Sequence, residues 1–209
     1  MHVFTFPKDN HIFINELKTL NPGDGDYISL SNFPGFYTMP EDMLIELLDN
    51  NDVEDKIKSE FLDFYSDWKN ALENKSFISI YTRNGIKKAL DKDNHIYTDL
   101  SLMMGKDINA NKNFVREHIG YILEKAGDEN EGNRYQVGLI NDSVELNSFI
   151  NSEGFAFTWN PERSSSLVLA TESNVVAAFY NQLLSIWESI PRINKAPEIL
   201  KKKFQEQEV

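Results

Sequence analysis

The clearest hydrophobic pattern in the chain lies in residues 164–190. A short apolar run at 167–170 is followed by the polar residues 171–174, which can cap a helix. Apolar residues then recur at three- and four-residue spacing, at Val175, Val176, Phe179, Leu183, Ile186, Trp187 and Ile190. Pro191 limits the continuation of the helix. The pattern predicts a strand that runs into an amphipathic helix, whose apolar stripe packs on a sheet.

The beginning of the chain predicts short elements joined by turns. Residues 3–6 and 27–30 have the apolar character of strands, and the spacing of apolar residues in 12–20 predicts a short helix. Residues 32–37 contain proline, glycine and three aromatic residues. They predict a turn with exposed aromatic side chains.

Two helices are predicted between residues 40 and 74. Pro40 suits the first turn of a helix, and Glu41 and Asp42 suit its positive end. A longer helix covers 53–73, with aromatic and aliphatic residues on one side and acids on the other. These two helices predict a helical layer that packs across a sheet.

The middle of the chain alternates between strand and helix patterns. Residues 76–81 form the clearest β segment, and 86–90 predict a short helix after it. Residues 95–104 fit either a strand or an apolar loop. A helix is predicted over 112–126, followed by a hydrophilic loop at 127–133.

The segment before the terminal helix predicts a hairpin. Residues 134–140 read as a strand, and 141–150 as a short helix capped by polar residues. The apolar runs at 155–159 and 167–170 flank an Asn-Pro turn at 160–161, as in a β-hairpin.

The order of elements predicts an α/β or α+β fold. We expect a single mixed sheet flanked by helices, with the helical segment near residues 40–74 packed across it. Residues 1–190 would form one globular domain, and 191–209 a polar C-terminal extension. At 209 residues and 41% hydrophobic, the chain is long enough to bury one sizeable core.

The amino-acid composition restricts the kinds of molecule that the protein can bind and the compartment in which it is found. The chain has no cysteine, which fits a reducing compartment, and no run approaches the roughly 18 apolar residues of a membrane span. The 33 acidic and 21 basic residues give a net charge of -12, which would repel a phosphate backbone. We therefore predict a cytoplasmic protein that binds neither a membrane nor, directly, nucleic acid.

The turn at 82–85 is the strongest candidate for a binding site. A polar, glycine-containing turn between a strand and a helix directs amides and side chains into the crevice above a sheet, although any such junction needs a polar turn. Arg83 and Asn84 would meet a polar or anionic ligand there. Tyr81 and Trp159, at the ends of two predicted strands, complete the predicted ligand site.

Catalytic and metal chemistry have little support in the sequence. The histidines are scattered without paired spacing, at His2, His11, His95 and His118. Nucleophile-elbow, Walker and dinucleotide motifs are absent. We predict no metal, no cofactor and no catalytic residue, and His118 is best explained as a core or flanking residue. An enzyme with dispersed groups, such as Glu60 or Asp63 with His118, is an alternative.

Two stretches, 76–90 and 164–190, resemble the C-terminal sensor domains of bacterial helix-turn-helix transcription regulators, some of which have a phospholipase D-like fold. The matching positions in the second stretch are residues 167–170, 171–174, Phe179 and Trp187. The His-x-Lys-x-x-x-x-Asp signature of active phospholipase D enzymes is absent, so the resemblance implies sensing rather than hydrolysis. It implies the effector half of a longer regulator, without a helix-turn-helix of its own.

These observations lead to a ligand-sensing or dimerisation domain as the first functional hypothesis. Its partner would be a small-molecule or peptide effector, or a second copy of the chain in a homodimer. The acidic charge also allows an immunity-type or scaffold protein that binds a basic partner.

Overall fold

The computed structural model describes residues 1–6, 9–20, 25–73, 75–127, 134–141, 143–160 and 166–205. The strands are β1 (His2–Thr5), β2 (Tyr27–Ser31), β3 (Phe77–Thr82), β4 (Asn94–Ile96), β5 (Asn109–Asn111), β6 (Tyr135–Ile140), β7 (Asn147–Asn151), β8 (Phe155–Trp159) and β9 (Ser166–Ala170). The helices are α1 (Asn10–Thr19), α2 (Glu41–Asn50), α3 (Asp55–Glu73), α4 (Arg83–Asp91), α5 (Thr98–Met104), α6 (Lys112–Lys125), α7 (Ser173–Ser189) and α8 (Pro197–Gln205). Short 3-10 turns occupy Phe36–Thr38 and Arg192–Asn194.

Within these ranges the strands form a seven-stranded mixed sheet and a two-stranded ribbon. The sheet order is β1-β9-β8-β7-β2-β3-β6, and β4 pairs with β5. Strands β2, β3 and β6 are parallel, whereas β7, β8, β9 and β1 pair antiparallel with their neighbours. The predicted mixed sheet flanked by helices is confirmed, and so is the β8–β9 hairpin.

The central strands are buried on both faces. Every residue of β2 and β3 is buried. Because side chains alternate along a strand, Ile28 and Ile80 lie in the apolar cluster on one face, and Tyr27 and Phe77 lie in the larger cluster on the other. Helices must therefore cover both faces of the sheet.

Helix α7 covers the first face, as the spacing of its apolar residues predicts. Its buried side chains Val176, Leu183 and Trp187 lie in one cluster with the isoleucines of the central strands. A Cβ on Gly138 of β6 would lie 2.7 Å from the Trp187 ring, so glycine is needed for this close packing. Phe179, predicted in the buried stripe, is instead 37% exposed.

The start of α7 differs from the predicted cap. The helix begins at Ser173, after Glu172, which makes no side-chain capping hydrogen bond. The Glu172 carboxylate instead accepts a hydrogen bond from the N-terminal amine of Met1 at 2.6 Å. The concentration of polar residues at 171–174 therefore marks the helix start without supplying a side-chain cap.

The opposite face is covered by the predicted helical segment, which forms α2 and α3. Buried aromatic side chains of α3 face the sheet, among them Phe61, Phe64 and Trp68. The Trp68 ring lies 5.5 Å from that of Phe149 and 5.4 Å from that of Phe155. Packing between aromatic rings thus joins this helix to β7 and β8.

The predicted helix over residues 141–150 is wrong. Residues 147–151 form β7, and Leu146, just before it, is 53% exposed. β7 pairs with β2 on one side and with β8 on the other. Hydrogen bonds to two strands outweigh the weak helical pattern of so short a segment.

Two other predictions need correction. The aromatic residues predicted as exposed in the turn at 32–37 include Phe36 and Tyr37, which are 5% and 9% exposed. The ambiguous stretch at 95–104 contains part of β4 and then helix α5. Phe36 packs on Phe61 of α3, and Tyr37 packs on Phe77 of β3 and Phe149 of β7, so contacts with the helix and the sheet bury these two rings.

Packing continues beyond residue 190, into the stretch predicted as a polar extension. Helix α8 packs on α6, and Leu200 is fully buried in the larger core cluster. Most of the predicted hydrophilic loop at 127–133 and of the turn at 160–163 lies outside the described residues. Of the helices described above, none is both long and apolar enough to cross a bilayer.

Gly85, in the first turn of α4, should not tolerate replacement by a residue with a side chain. A Cβ at this position would lie 1.8 Å from the carbonyl oxygen of Asn32. The backbones must therefore separate, and we expect Gly85→Ala to lower the free energy of unfolding by about 3 kcal/mol or more. Urea denaturation of the two proteins measures this difference.

Gly120→Ala, on helix α6, is the matched control. A Cβ there would meet no atom within 4 Å. Alanine in a helix interior should raise the free energy of unfolding by about 0.5–1 kcal/mol. Equal stability of the two alanine variants would contradict the close approach between α4 and the end of β2.

Candidate ligand-binding site

A cleft of about 550 Å³ opens at one edge of the large sheet. The parallel strands β2 and β3 end there, and antiparallel pairing places the beginning of β7 and the end of β8 at the same edge. Ligands of α/β proteins bind preferentially at this edge, where the loops diverge. We call this cavity the edge cleft; it is lined by residues from 32–35, 84–92, 94–99, 143–147 and 159–160, together with Tyr37.

The side chain of Asn32 joins three walls of the edge cleft. Its Oδ1 accepts hydrogen bonds from Thr82 Oγ1 at 3.0 Å and from the backbone N–H of Val144 at 3.3 Å. Its Nδ2 donates to the Val144 carbonyl at 2.8 Å, and its backbone N–H donates to Asn147 Oδ1 at 3.1 Å. The end of β2, the start of α4 and the loop before β7 are therefore held together.

The first turns of α4 form a positively charged wall. Thr82 caps the helix, because its Oγ1 accepts from the backbone N–H of Gly85 at 3.0 Å. Asn84 is exposed at this wall, and Lys88 and Lys92 follow it one and two turns later. The two ammonium groups make this side of the cleft attractive to an anionic group.

The inner part of the edge cleft contains a buried carboxyl group. Asp99 is 8% exposed, and its Oδ2 accepts from the backbone N–H of Phe36 at 2.8 Å while Oδ1 accepts from that of Leu100 at 2.9 Å. Burial raises the pKa of Asp99 to about 6, and these hydrogen bonds offset only part of that effect. Each carboxylate oxygen can accept a second hydrogen bond, so a ligand donor can still bind here.

An indole N–H lies in the same region. Trp159 is 6% exposed, and its Nε1 is buried with no acceptor among the residues described. Trp159 and Asp99 line both the edge cleft and a small apolar void of about 40 Å³ in the core. A buried donor without a partner costs about 1–3 kcal/mol, which a ligand acceptor would recover.

A line of hydrogen bonds runs from the cleft lining into the core through His118. The Thr38 hydroxyl donates to the Gly35 carbonyl at 2.7 Å, so it accepts from His118 Nε2 at 3.0 Å. The other ring nitrogen, Nδ1, then accepts from the Tyr97 hydroxyl at 2.9 Å. Burial lowers the pKa of His118 to about 3, so the ring is neutral at pH 7.

Aromatic rings form another side of the cleft. The ring centroids of His95 and Phe33 lie 4.1 Å apart, and both residues line the cleft. Burial, together with the positive charge of Lys92, lowers the pKa of His95 to about 4. The neutral imidazole therefore offers a ligand a ring face and not a positive charge.

Two of the four ligand-binding residues predicted from the sequence, Asn84 and Trp159, line the edge cleft. Tyr81 lies in the core, with its hydroxyl 3.3 Å from that of Tyr135. Arg83 Nη2 donates to Asn194 Oδ1 at 2.5 Å, which ties the start of α4 to the segment before α8. Tyr81 and Arg83 thus lie outside the lining of this cavity.

The acids named in the catalytic alternative are not paired with His118. Asp63 is exposed on α3, Glu60 is half-buried, and both ring nitrogens of His118 are occupied by Thr38 and Tyr97. A search of the described part of the chain finds no group of three or more acidic or histidine side chains that could hold a metal ion.

Sequence reasoning misses Asp99 and Asn32. A lone acid near the start of the apolar run at 98–104 is the local signal for Asp99. No local signal marks Asn32, because its side-chain partners Thr82 and Val144 lie 50 and 112 residues away. Only the folded chain brings them together.

No protein-family model, curated protein or solved structure matches this chain.

The neutral, buried ring of His118 should make stability depend on pH. Its pKa is about 3 in the folded state, against about 6.5 for an accessible histidine. Below pH 6.5 the unfolded state binds the proton first, so folding is progressively weakened down to about pH 3. Between pH 6 and 4, the free energy of unfolding of the wild type should fall more steeply than that of His118→Gln. The two slopes should differ by about 1.4 kcal/mol per pH unit.

Urea denaturation from pH 4 to 8 measures the two slopes. His2→Gln, at an exposed position, is the control and should keep the wild-type slope. If His118→Gln has the wild-type slope as well, the buried neutral imidazole is refuted.

Proposed function

We propose that this chain is a ligand-sensing domain, whose edge cleft binds a small polar molecule. The observation that carries the proposal is that two buried residues, Asp99 and Trp159, line one 550 Å³ cleft, and that the buried Nε1 of Trp159 has no acceptor among the described residues. In α/β sheets, small molecules bind preferentially in the crevice beyond the ends of the parallel strands, which is where this cleft lies.

The lining determines the chemistry of the proposed ligand. The Asp99 carboxylate favours an ammonium or another N–H donor, whereas the Trp159 N–H favours a carbonyl or carboxylate oxygen. Lys88 and Lys92 attract an anionic group at the outer wall. Amino acids and short peptides combine an amine with a carboxylate, so they are the ligands we favour.

The proposed biological role is that of the effector-binding part of a cytoplasmic bacterial transcription regulator. It rests on the resemblance of 76–90 and 164–190 to such sensor domains, and the mixed sheet covered by helices is compatible with it. Asn32 supports a sensing role, since it couples the cleft walls of α4 and of the loop at 143–147. Homodimer formation is part of this proposal, and light scattering with and without ligand measures it.

A thermal-shift screen of amino acids and dipeptides tests the ligand class. We expect at least one of them to raise the melting temperature of the wild type, whereas simple amines and simple carboxylates raise it less. Trp159→Phe keeps an aromatic ring but removes the indole N–H. This variant should be somewhat less stable than the wild type but still fold, which its own melting curve verifies, and should lose at least half of the ligand-induced shift.

Trp68→Phe is the matched control for this experiment. The Trp68 Nε1 is likewise buried without an acceptor among the described residues, but Trp68 does not line the edge cleft. Its variant should retain the full ligand-induced shift. Equal loss in both variants, or no hit in the wild type, would remove the support for this ligand assignment.

Binding of an amine-bearing ligand should depend on the ionisation of Asp99. Its pKa is about 6, so below pH 6 the carboxyl is increasingly protonated and loses its attraction for an ammonium group. We expect the affinity to rise about fivefold between pH 5 and 6, to reach up to about ten times its pH 5 value at pH 7, and to level off above that. Isothermal titration at pH 5, 6, 7 and 8 measures this, and a pH-independent affinity would show that Asp99 is not contacted.

A further inference from the structure

A second cavity, of about 270 Å³, lies beside the ends of β3 and β6 that are farthest from the edge cleft. Phe77 and Tyr135, the first residues of these strands, line it together with side chains of α3 and α6. The turn that carries Tyr37 separates it from the edge cleft. We call this cavity the basic pocket.

The charge of the basic pocket is opposite to that of the chain. Its lining includes Lys69, Lys75, Lys125 and Arg134, and no acid among the described residues lines it. The whole chain carries a net charge of -12. Lys69 and Lys125, which face the same small cavity, attract anions from solution.

Two of these lysines are held by aromatic rings. Lys69 Nζ lies 5.8 Å from the centroid of the Tyr65 ring, and Lys125 Nζ lies 5.6 Å from that of Tyr121. Neither lysine forms an ion pair with a carboxylate among the described residues, whereas Lys58 bridges two aspartates. A cation–π contact orients the ammonium group without cancelling its charge, so its N–H donors stay available to an anion.

We propose that the basic pocket binds the phosphate group of a phosphorylated small molecule. A phosphate dianion has acceptor oxygens for several donors at once, and the ammonium groups of Lys69 and Lys125 each carry N–H donors that can bind them. The half-buried rings of Tyr121 and Tyr135 also line the cavity and can contact the remainder of such a ligand. The cavity is small, which fits a monophosphate. This site is separate from the edge cleft and does not depend on the ligand proposed there.

Isothermal titration of the full chain with inorganic phosphate and with phenyl phosphate tests the proposal. The double variant Lys69→Gln with Lys125→Gln should bind phenyl phosphate at least tenfold more weakly than the wild type. Lys125 is exposed and Lys69 is half-buried, and neither belongs to the hydrophobic core, so the variant should fold, which its melting curve verifies. Tighter binding of phenyl phosphate than of inorganic phosphate would identify an ester as the preferred ligand, and equal binding would identify phosphate itself.

A charge-matched control uses Lys56→Gln with Lys87→Gln. Both lysines are exposed and line none of the three cavities, so this variant should bind phenyl phosphate as the wild type does. An equal loss in the two double variants would mean non-specific attraction and would overturn the proposal. Absence of binding to the wild type at 10 mM, roughly the weakest affinity of interest, would overturn it as well.

A third double variant, Lys88→Gln with Lys92→Gln, identifies binding in the edge cleft. If this variant alone loses phenyl phosphate, the anion binds at the α4 wall and the assignment to the basic pocket is wrong. The two functional proposals also fail separately, because amino-acid binding is read with Trp159→Phe and phosphate binding with Lys69→Gln and Lys125→Gln.

Discussion

The hydrogen bonds of the Asn32 side chain are the constraint on which the edge cleft depends. They fix the end of β2 against the cap of α4 through Thr82 and against the loop before β7 through Val144. Gly85 allows this arrangement, because the α4 backbone passes too close to the Asn32 carbonyl for any side chain. Three segments that would otherwise diverge from the sheet edge therefore act as one frame around the cavity.

Several polar side chains are buried inside or next to this frame, and their removal from water costs free energy. Asp99 and His118 are both desolvated, and burial disfavours the charged form of each, so the carboxyl is a weaker acid and the imidazole a weaker base than in water. The hydrogen bonds of Tyr97 and Thr38 satisfy the histidine fully. The Trp159 Nε1 has no acceptor among the described residues, and the Asp99 carboxylate accepts from two backbone N–H groups, so the two side chains differ from His118 in what they leave unbonded.

The two cavities have different electrostatic character and share one structural element. The edge cleft has a buried carboxyl at its inner end, whereas the lining of the basic pocket is cationic. Tyr37, in the turn between them, lines both. Burial raises the pKa of Tyr37 far above its ordinary range, so this hydroxyl stays neutral.

The spacing of apolar residues along the chain predicts the helices that bury one apolar stripe and the strands that are buried on both faces. The structure places β2, β3, α3, α6 and α7 where this spacing predicts them. These elements are predictable because the pattern of burial within one element is written in its own sequence. The apolar spacing does not predict β7, because hydrogen bonds to β2 and β8 stabilise that strand. The candidate site likewise contains residues that the sequence predicts and residues that it does not. Asn84 and Trp159 follow from the ends of predicted elements, whereas Asp99 and Asn32 belong to it only because segments distant in sequence converge at one sheet edge. Tertiary pairing sets that convergence, and no local pattern encodes it.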